Sequence, residues 1–435
     1  MTFRDALPEA VDVVVIGAGV IGIATAWFLN TRGVSVLVCE KGRVAGEQSS
    51  RNWGWIRQQG RDAAELPIVI DSINSWSSIG AEIGADVGFT RQGVLDLAEN
   101  EAELERHAKW LDVAKQHQLD TRLLTGSEVD RLITDKPGQW VGGLYTPSDG
   151  RAEPFVAVPA IARAAQRLGA KIREDCAVRT IDVQAGRVAG VVTEHGRVNA
   201  QSVVCAAGAW SSLMLGNLGV DLPQLTVRAT VARTVKAPDV FAGNASAGGF
   251  AFRRRADGGY TVAAYGENEH LVGADSFRYF RKFLPSLFAN RKTLRLRFGD
   301  GLWSRMTPTR RWGAEDITPF EINRVLNPAP SARALAKMRA GLARRLPSLA
   351  GIEFEEAWAG MIDVTPDVVP VMDAIDGYPG LFLATGFSGH GFGIGLGAGR
   401  IMADLVQGRP SAHDLTRFRF SRFSDGSRIV PGPGL

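Results

Sequence analysis

A short apolar run that ends in a glycine-rich turn constrains this chain more than any other feature. Residues 11–16 read VDVVVI, a β-branched run with the look of a buried parallel strand. Gly17-Ala18-Gly19-Val20-Ile21-Gly22 follows at once, 23–30 has a helical pattern, and 34–39 (VSVLVC) predicts a second strand ending at Glu40. In that order the pieces make a strand–helix–strand unit with a dinucleotide turn. Gly17 permits the tight turn, Gly19 lets the backbone approach a pyrophosphate, and Gly22 lets the helix pack closely on the strand. The helix start adds free N–H groups and a partial positive charge for phosphate. Glu40 lies 23 residues after Gly17, the spacing of a carboxylate that accepts from ribose hydroxyls. An acid there argues against a 2′-phosphate, but this unit alone serves FAD or NAD.

Composition enters through glycine. The chain has 50 in 435 residues, about 11% against a usual 7% or so. Seven of them fall between Gly386 and Gly399, after an apolar strand-like run at 381–384 and before a helical run at 401–406. Glycines there would bring backbone close to something flat or anionic at a helix start; helix–helix packing could account for Gly395 and Gly399 but not for the GHGFG turn as well. Such a start stabilises the negative charge that a reduced flavin carries, whereas a nicotinamide gains no comparable anion. The second glycine-rich segment therefore selects FAD and leaves an NAD-dependent dehydrogenase accounting for the first motif only.

The motifs VIGAGVIG (15–22), SSRNWGWIR (49–57), AAGAW (206–210), DVTPDVVPVMD (363–373) and GFSGHGFGIG (386–395) together resemble the D-amino acid oxidase-like superfamily of FAD-dependent oxidoreductases. The relatives include glycine and sarcosine oxidases and bacterial D-amino acid dehydrogenases. The resemblance implies an α/β fold, with a Rossmann-like FAD-binding domain interleaved with an α+β substrate domain on an antiparallel sheet. It places the FAD-binding domain at 1–85, 149–222 and 345–423, the substrate domain at 86–148 and 223–344, and a flexible tail at 424–435. It further implies cofactor roles for Gly17, Gly19, Gly22, Glu40, Lys41, Ser49, Ser50, Arg51, Asn52, Trp53, Val178, Gly208, Trp210, Gly360, Gly389, His390, Gly391, Phe392 and Gly393. Some sarcosine-oxidase relatives attach FAD through a cysteine just before the TPD motif. Trp358-Ala359-Gly360-Met361-Ile362-Asp363 has none, so a non-covalent flavin is expected. Ile362 stands near the place of a substrate-binding arginine in glycine-oxidase relatives, and Gly393 where oxygen-activating relatives carry lysine.

Amine oxidation by flavin needs orientation, exclusion of water and a neutral amine more than acid–base machinery. The loop from Ser49 to Asp62 carries Arg51, Arg57 and Arg61 with Trp53 and Trp55, suited to a carboxylate anchor and an apolar wall. Arg57 or Arg61 is the expected carboxylate partner, with Arg51 nearer the flavin. His390 is the one histidine within a motif. Arg305, Arg310 and Arg311 are candidates for a second anionic contact, which would make an imino-diacid plausible. The expected activity is oxidation of the C–N bond of an amino acid or carboxylate-bearing secondary amine, with O2 or a quinone or carrier as acceptor. The alternative is a flavin-binding subunit of a heteromeric amine-oxidising complex.

Other features exclude. A net charge of +4 and no long basic run argue against nucleic acid, and Arg253-Arg254-Arg255 reads as a solvated hairpin end beside Asp257-Gly258-Gly259. Three separated cysteines and scattered histidines fit neither a disulfide framework nor a metal site. No run is long and apolar enough for a transmembrane helix, and the N-terminus has no signal-like core, so a cytoplasmic protein is expected.

Overall fold

A computed structural model describes residues 2–299 and 310–432. Arg305 lies outside the described residues.

The apolar run forms the strand Ala10–Ile16, paired in parallel with Val36–Cys39 on one side and Gly196–Cys205 on the other. Lys171–Arg173 and Leu381–Thr385 extend the parallel register outward. Val178–Gln184, Arg187–Thr193 and Gly196–Cys205 form an antiparallel meander, completing with Val371–Ala374 an eight-stranded sheet among the described residues. The helices Val20–Asn30, Leu66–Ile83, Pro154–Arg167 and Gly391–Val406 pack over one face around Val15, Ile23, Trp76 and Leu396. Burial on both faces is why the central strands read as continuous apolar runs rather than alternating ones.

A second, largely antiparallel sheet has ten strands among the described residues, centred on Leu225–Thr234. Tyr260–Ala264 and Phe250–Arg254 form the hairpin expected around Gly258-Gly259, and the helix Ala332–Arg345 packs Met338 and Leu342 against this sheet's apolar cluster. The strand Phe354–Val364 pairs along its length with Leu225–Thr234, so it belongs to the second sheet. The sequence reading groups 345–423 with the first sheet. A small sheet of Trp55–Ile56, Gly150–Arg151 and Thr90–Arg91 lies at the arginine–tryptophan loop.

Two expectations are corrected. The last helix begins at Gly391, not near 401, and takes in Gly391, Gly393, Gly395, Gly397 and Gly399. Glycine costs about 1 kcal/mol per helix-interior position, so close packing must override propensity. A Cβ on Gly395 would lie 2.7 Å from Val20, and on Gly399 2.4 Å from Ala24. On Gly397 it would lie 2.7 Å from the Ile68 carbonyl. Those three glycines serve helix–helix contact, not the cofactor. Secondly, the Arg253 side chain is only 2% exposed and donates to both Glu153 oxygens at 2.9 and 3.0 Å. Arg255 is also buried, bonded to the Thr234 and Tyr260 carbonyls. The arginine triplet is thus largely interior, because the start of the helix Pro154–Arg167 brings Glu153 to it. In the described part of the C-terminal tail, Gly432 donates to the Asp367 carbonyl at 2.8 Å, and Arg417 to the Val430 carbonyl.

Candidate active site

One elongated cavity runs from the first glycine turn to the start of the last helix. At the first end Gly17 has φ +101°, and a Cβ there would lie 2.6 Å from the Ala206 carbonyl. Only glycine takes this conformation without strain. Glu40 Oε2 accepts from Ala18 N and Oε1 from Gly42 N, each at 2.8 Å. Burial raises its carboxyl to about 7 against those two bonds. Ser49 Oγ accepts from Val20 N at 2.8 Å, so it caps the first helix from a distant segment. Gly19, Lys41, Val178, Gly208 and Trp210 line the same end, with the Lys41 ammonium 4.3 Å from the Trp210 ring centroid.

The other end is built where the loop after Gln48 meets Gly386–Gly393. Arg51, Asn52, Trp53, Trp55, Arg57, Arg61, Gly360, Gly389, His390, Gly391, Phe392 and Gly393 all line it. Asn52 Oδ1 accepts from Gly54 N at 2.7 Å while its amide donates to the Gln48 and Ser49 carbonyls, which fixes the loop. Arg51 donates to the carbonyls of Ala359 and Gly46. Trp53 sits edge-on to Trp55 with centroids 5.4 Å apart, and 6.3 Å from the Tyr265 ring. The first-turn N–H groups of Gly391–Val406 have no helical acceptors, as at any helix start. Ser72 Oγ donates to the Gly393 carbonyl at 2.7 Å and accepts from Gly397 N at 3.2 Å. It thus stands between two groups that an uninterrupted helix would bond directly.

Charge gathers beside this helix start. Arg61 is 8% exposed, and among the described residues its guanidinium makes neither a hydrogen bond nor an ion pair. Burial, then the like charge of Arg57, depress it below the usual arginine value. Arg57 spends one N–H on the Gln59 carbonyl at 3.0 Å and lies over Trp55. His390 Nδ1 is 3.4 Å from Glu65 Oε2, in a geometry that makes no hydrogen bond. Burial lowers its basicity, as does Arg61, which favours the neutral imidazole. Glu65 is fully buried with both oxygens unbonded.

Two sequence candidates lie off the cavity wall. Gly22 packs beneath the turn, where a Cβ would be 2.0 Å from the Gly17 carbonyl, and Ser50 bonds the Glu47 carbonyl in its own helix. Arg310 and Arg311 are corrected outright. They line a separate pocket with Asp221 and Arg278, where Arg310 pairs with Asp275 and Arg311 donates to the Asn217 carbonyl. Both are spent on the protein, so neither supplies a second anionic contact here. Several residues escaped the sequence reading. Glu47 takes the Trp210 indole N–H, Leu326 N and the Lys41 ammonium. Tyr265 and Asn268 reach the cavity from the second sheet, and no local motif marks them.

The donors fit a flavin dinucleotide. A glycine turn with a helix start and a buried ribose-type acid lies at one end, and a second glycine-lined helix start at the other. A Cβ on Gly19 would meet only Ser49 Oγ, at 3.1 Å, and one on Gly389 would meet nothing nearer than Ile362 at 3.7 Å, so both lie open to the cavity. Fold and site together define a two-domain type of flavin-dependent oxidoreductase.

Comparison with known proteins agrees. The family model described as FAD dependent oxidoreductase (DAO) matches residues 12–405, and the chain belongs to that family. The chain is 26% identical to a D-amino acid dehydrogenase of Paramagnetospirillum magneticum, with 95% of this chain and 99% of that protein covered. It is 25% identical to the mitochondrial sarcosine dehydrogenase of Mus musculus over 98% of its own length, but spans only 43% of that protein. The solved structure of L-amino acid deaminase from Proteus myxofaciens in complex with anthranilate superposes with a TM-score of 0.92 at 31% identity, covering 98% of this chain and 96% of that one. The protein is an FAD-dependent amino acid or amine oxidoreductase.

Glu40 offers a direct check on the cofactor end. Glu40→Ala removes the acceptor of two backbone N–H groups, those of Ala18 and Gly42, at the end of the cavity expected to take the adenosine ribose. FAD affinity should fall by about tenfold to a hundredfold, read by titrating FAD into apoprotein and following fluorescence quenching.

Proposed function

We propose that this chain oxidises the C–N bond of an amino acid whose carboxylate is held by Arg61, with Arg57 beside it. The observation that carries this reading is the buried Arg61 guanidinium, unpartnered among the described residues, in the same cavity as the helix start at Gly391. A buried cation without a partner is costly, and a substrate carboxylate supplies the missing charge. Trp53, Trp55 and Tyr265 form an apolar wall that suits a side chain of some bulk over that of glycine. The first sheet with its helices would carry the cofactor, and the second would close the substrate side through Tyr265, Asn268 and Ile362.

Bound FAD would supply the acceptor for the α-hydrogen, which leaves with its electron pair as the neutral amine becomes an iminium ion, and loss of the N–H proton to water then gives the imine. The residues of this chain do the rest. Arg61 and Arg57 fix the carboxylate, the tryptophans exclude water, and His390, kept neutral by burial, adds no positive charge to oppose hydride loss. The imine then takes up water outside the closed site and gives an oxo acid and ammonia or an amine.

The flavin is held without a covalent bond in this reading. Cys176 and Cys205 lie off the cavity, and Cys39 is buried on its strand beside Glu40, at the end away from Gly391. Acid precipitation should therefore release all flavin to the supernatant; yellow protein in the pellet would refute it. Anaerobic mixing with D- and L-amino acids, N-methyl amino acids and imino-diacids tests the substrate class. Bleaching of the flavin by amino acids is expected, and no bleaching by any carboxylate-bearing amine would overturn the proposal. Peroxide formed in air would identify oxygen as acceptor, whereas reduction of a quinone dye without peroxide would identify a dehydrogenase. Turnover by the chain alone also separates this reading from a subunit that needs a partner.

A further inference from the structure

Three buried polar groups meet beside the helix start at Gly391, and among the described residues none of them is satisfied. Glu65, the residue before the helix Leu66–Ile83, is fully buried, and both its carboxylate oxygens lack a hydrogen bond. His390 Nδ1 is buried and unbonded as well, 3.4 Å from Glu65 Oε2. Arg61 brings a buried guanidinium with neither a hydrogen bond nor an ion pair among the described residues. Buried polar groups are nearly always bonded, so three in one place call for an explanation.

Their positions differ. Arg61 and His390 line the cavity, and Glu65 does not. Nδ1 is the ring nitrogen nearest Glu65, which leaves Nε2 for the cavity side. A neutral imidazole with its proton on Nδ1 then offers an acceptor to a ligand and a donor to Glu65. The 3.4 Å gap is longer than a hydrogen bond, as catalytic contacts often are before a ligand fills the site. Arg61 is faced by Arg57, Glu65, Asp149 and Tyr265, and His390 by Arg61, Glu65 and Arg57. Asp149 already accepts from the backbone N–H groups of Gln58 and Gln59. Glu65 is the carboxylate of this group whose oxygens are still open.

An amino acid reaches such a site as a zwitterion. Hydride loss needs a neutral amine, so one proton must leave the nitrogen inside a cavity that excludes water. We propose that Glu65, acting through His390, takes up that proton. The proposal rests on the reading that Arg61 holds the substrate carboxylate.

An N–H bond of the ammonium breaks as His390 Nε2 gains its proton, and the Nδ1–H bond breaks as Glu65 Oε2 gains the second. No electrons change owner. Afterwards the carboxylate is paired with Arg61, while the amine, the imidazole and the Glu65 carboxyl are all neutral. The ring is therefore uncharged both before and after the transfer. Substrate itself prepares the step. Burial and then Arg61 lower the basicity of His390, and a carboxylate on Arg61 cancels the second of these. When product leaves, the reverse path returns the proton to water. His390 touches the substrate in this scheme, whereas Glu65 acts only through it.

Glu65→Gln removes the proton acceptor at nearly constant volume. Anaerobic reduction of the flavin by an amino acid, followed by stopped flow between about pH 7 and pH 10, reads the effect. The wild-type rate should change little over that range. The Glu65→Gln rate should be about a hundredfold lower at pH 7. It should rise about tenfold per pH unit and approach wild type where the free amine is already neutral. Structural damage alone would lower the rate equally at every pH. His390→Gln should give the same slope, which keeps the test open if Glu65→Gln folds poorly.

An α-methyl amino acid has no α-hydrogen to lose and gives a reading without turnover. Its binding to wild-type holoenzyme should add the infrared carbonyl band of a protonated carboxyl, shifted in D2O, and Glu65→Gln should lack that band. A wild-type pH profile in either variant, a loss that is uniform with pH, or no carboxyl band in the wild type would overturn the relay. Failure of every amino acid to reduce the wild-type flavin at any pH would instead remove the amine-oxidation reading beneath it, and the relay with it.

Discussion

Gly22→Ala is expected to purify without FAD and to lose about 2–3 kcal/mol of stability, the scale of overpacking in a tight core. The new methyl carbon would stand 2.0 Å from the Gly17 carbonyl oxygen and 3.1 Å from a Val15 methyl. Neither neighbour can yield cheaply. Val15 is fully buried in the central strand, and Gly17 is held at φ +101° against the Ala206 carbonyl. The helix Val20–Asn30 would have to move off the sheet, carrying away the first-turn N–H groups that border the cavity. Gly33→Ala is the control, for no atom lies within 4 Å of its added carbon and only the φ of +80° is strained. It should keep FAD and lose about 1 kcal/mol. Flavin absorbance per protein and the denaturant midpoint read both effects, and a Gly22→Ala protein with full flavin would disprove the packing argument.

Arg61→Ala should retain flavin and raise the KM for amino acid substrates by about a hundredfold or more, as truncating one partner of a buried charge pair costs roughly 2–5 kcal/mol. Arg57→Ala should cost less. Its side chain is only partly buried and already bonds the Gln59 carbonyl, so it has less need of a substrate anion. The kinetic signature separates anchoring from general damage. Loss of uniform binding raises KM with little change in kcat, and the penalty should disappear for the decarboxylated amine. An Arg61→Ala enzyme with unchanged KM for amino acids would remove the anchor from this site.

The first half of the cofactor site was legible because local order carries it. Strand, glycine turn, helix, strand and acid are consecutive, and each glycine has a distinct backbone task that spacing alone reveals. The second half misled in one respect. The run of glycines from 386 to 399 predicts a backbone approach to a cofactor followed by a helix. Gly389 fits that reading, with space over Ile362, but Gly395, Gly397 and Gly399 lie inside the helix against Val20, Ile68 and Ala24. A glycine needed for a cofactor and one needed for a neighbouring helix look alike in sequence. The arginine triplet misled in a related way, since its counter-charge Glu153 lies 100 residues away from Arg253.

The sequence by itself determined the fold family, FAD as the cofactor, and the loop that supplies the arginines and tryptophans, because these rest on motifs each of which is local, even where the motifs lie far apart along the chain. Only the tertiary structure decided which arginine lacks a partner. Arg310 and Arg311 are satisfied elsewhere, Arg51 is bonded to carbonyls, and Arg61 is buried with no hydrogen bond or ion pair to its guanidinium among the described residues. The reason is physical. A residue type sets what a side chain can bond, whereas burial and the bonds already made set what it still needs, and both depend on segments distant in sequence.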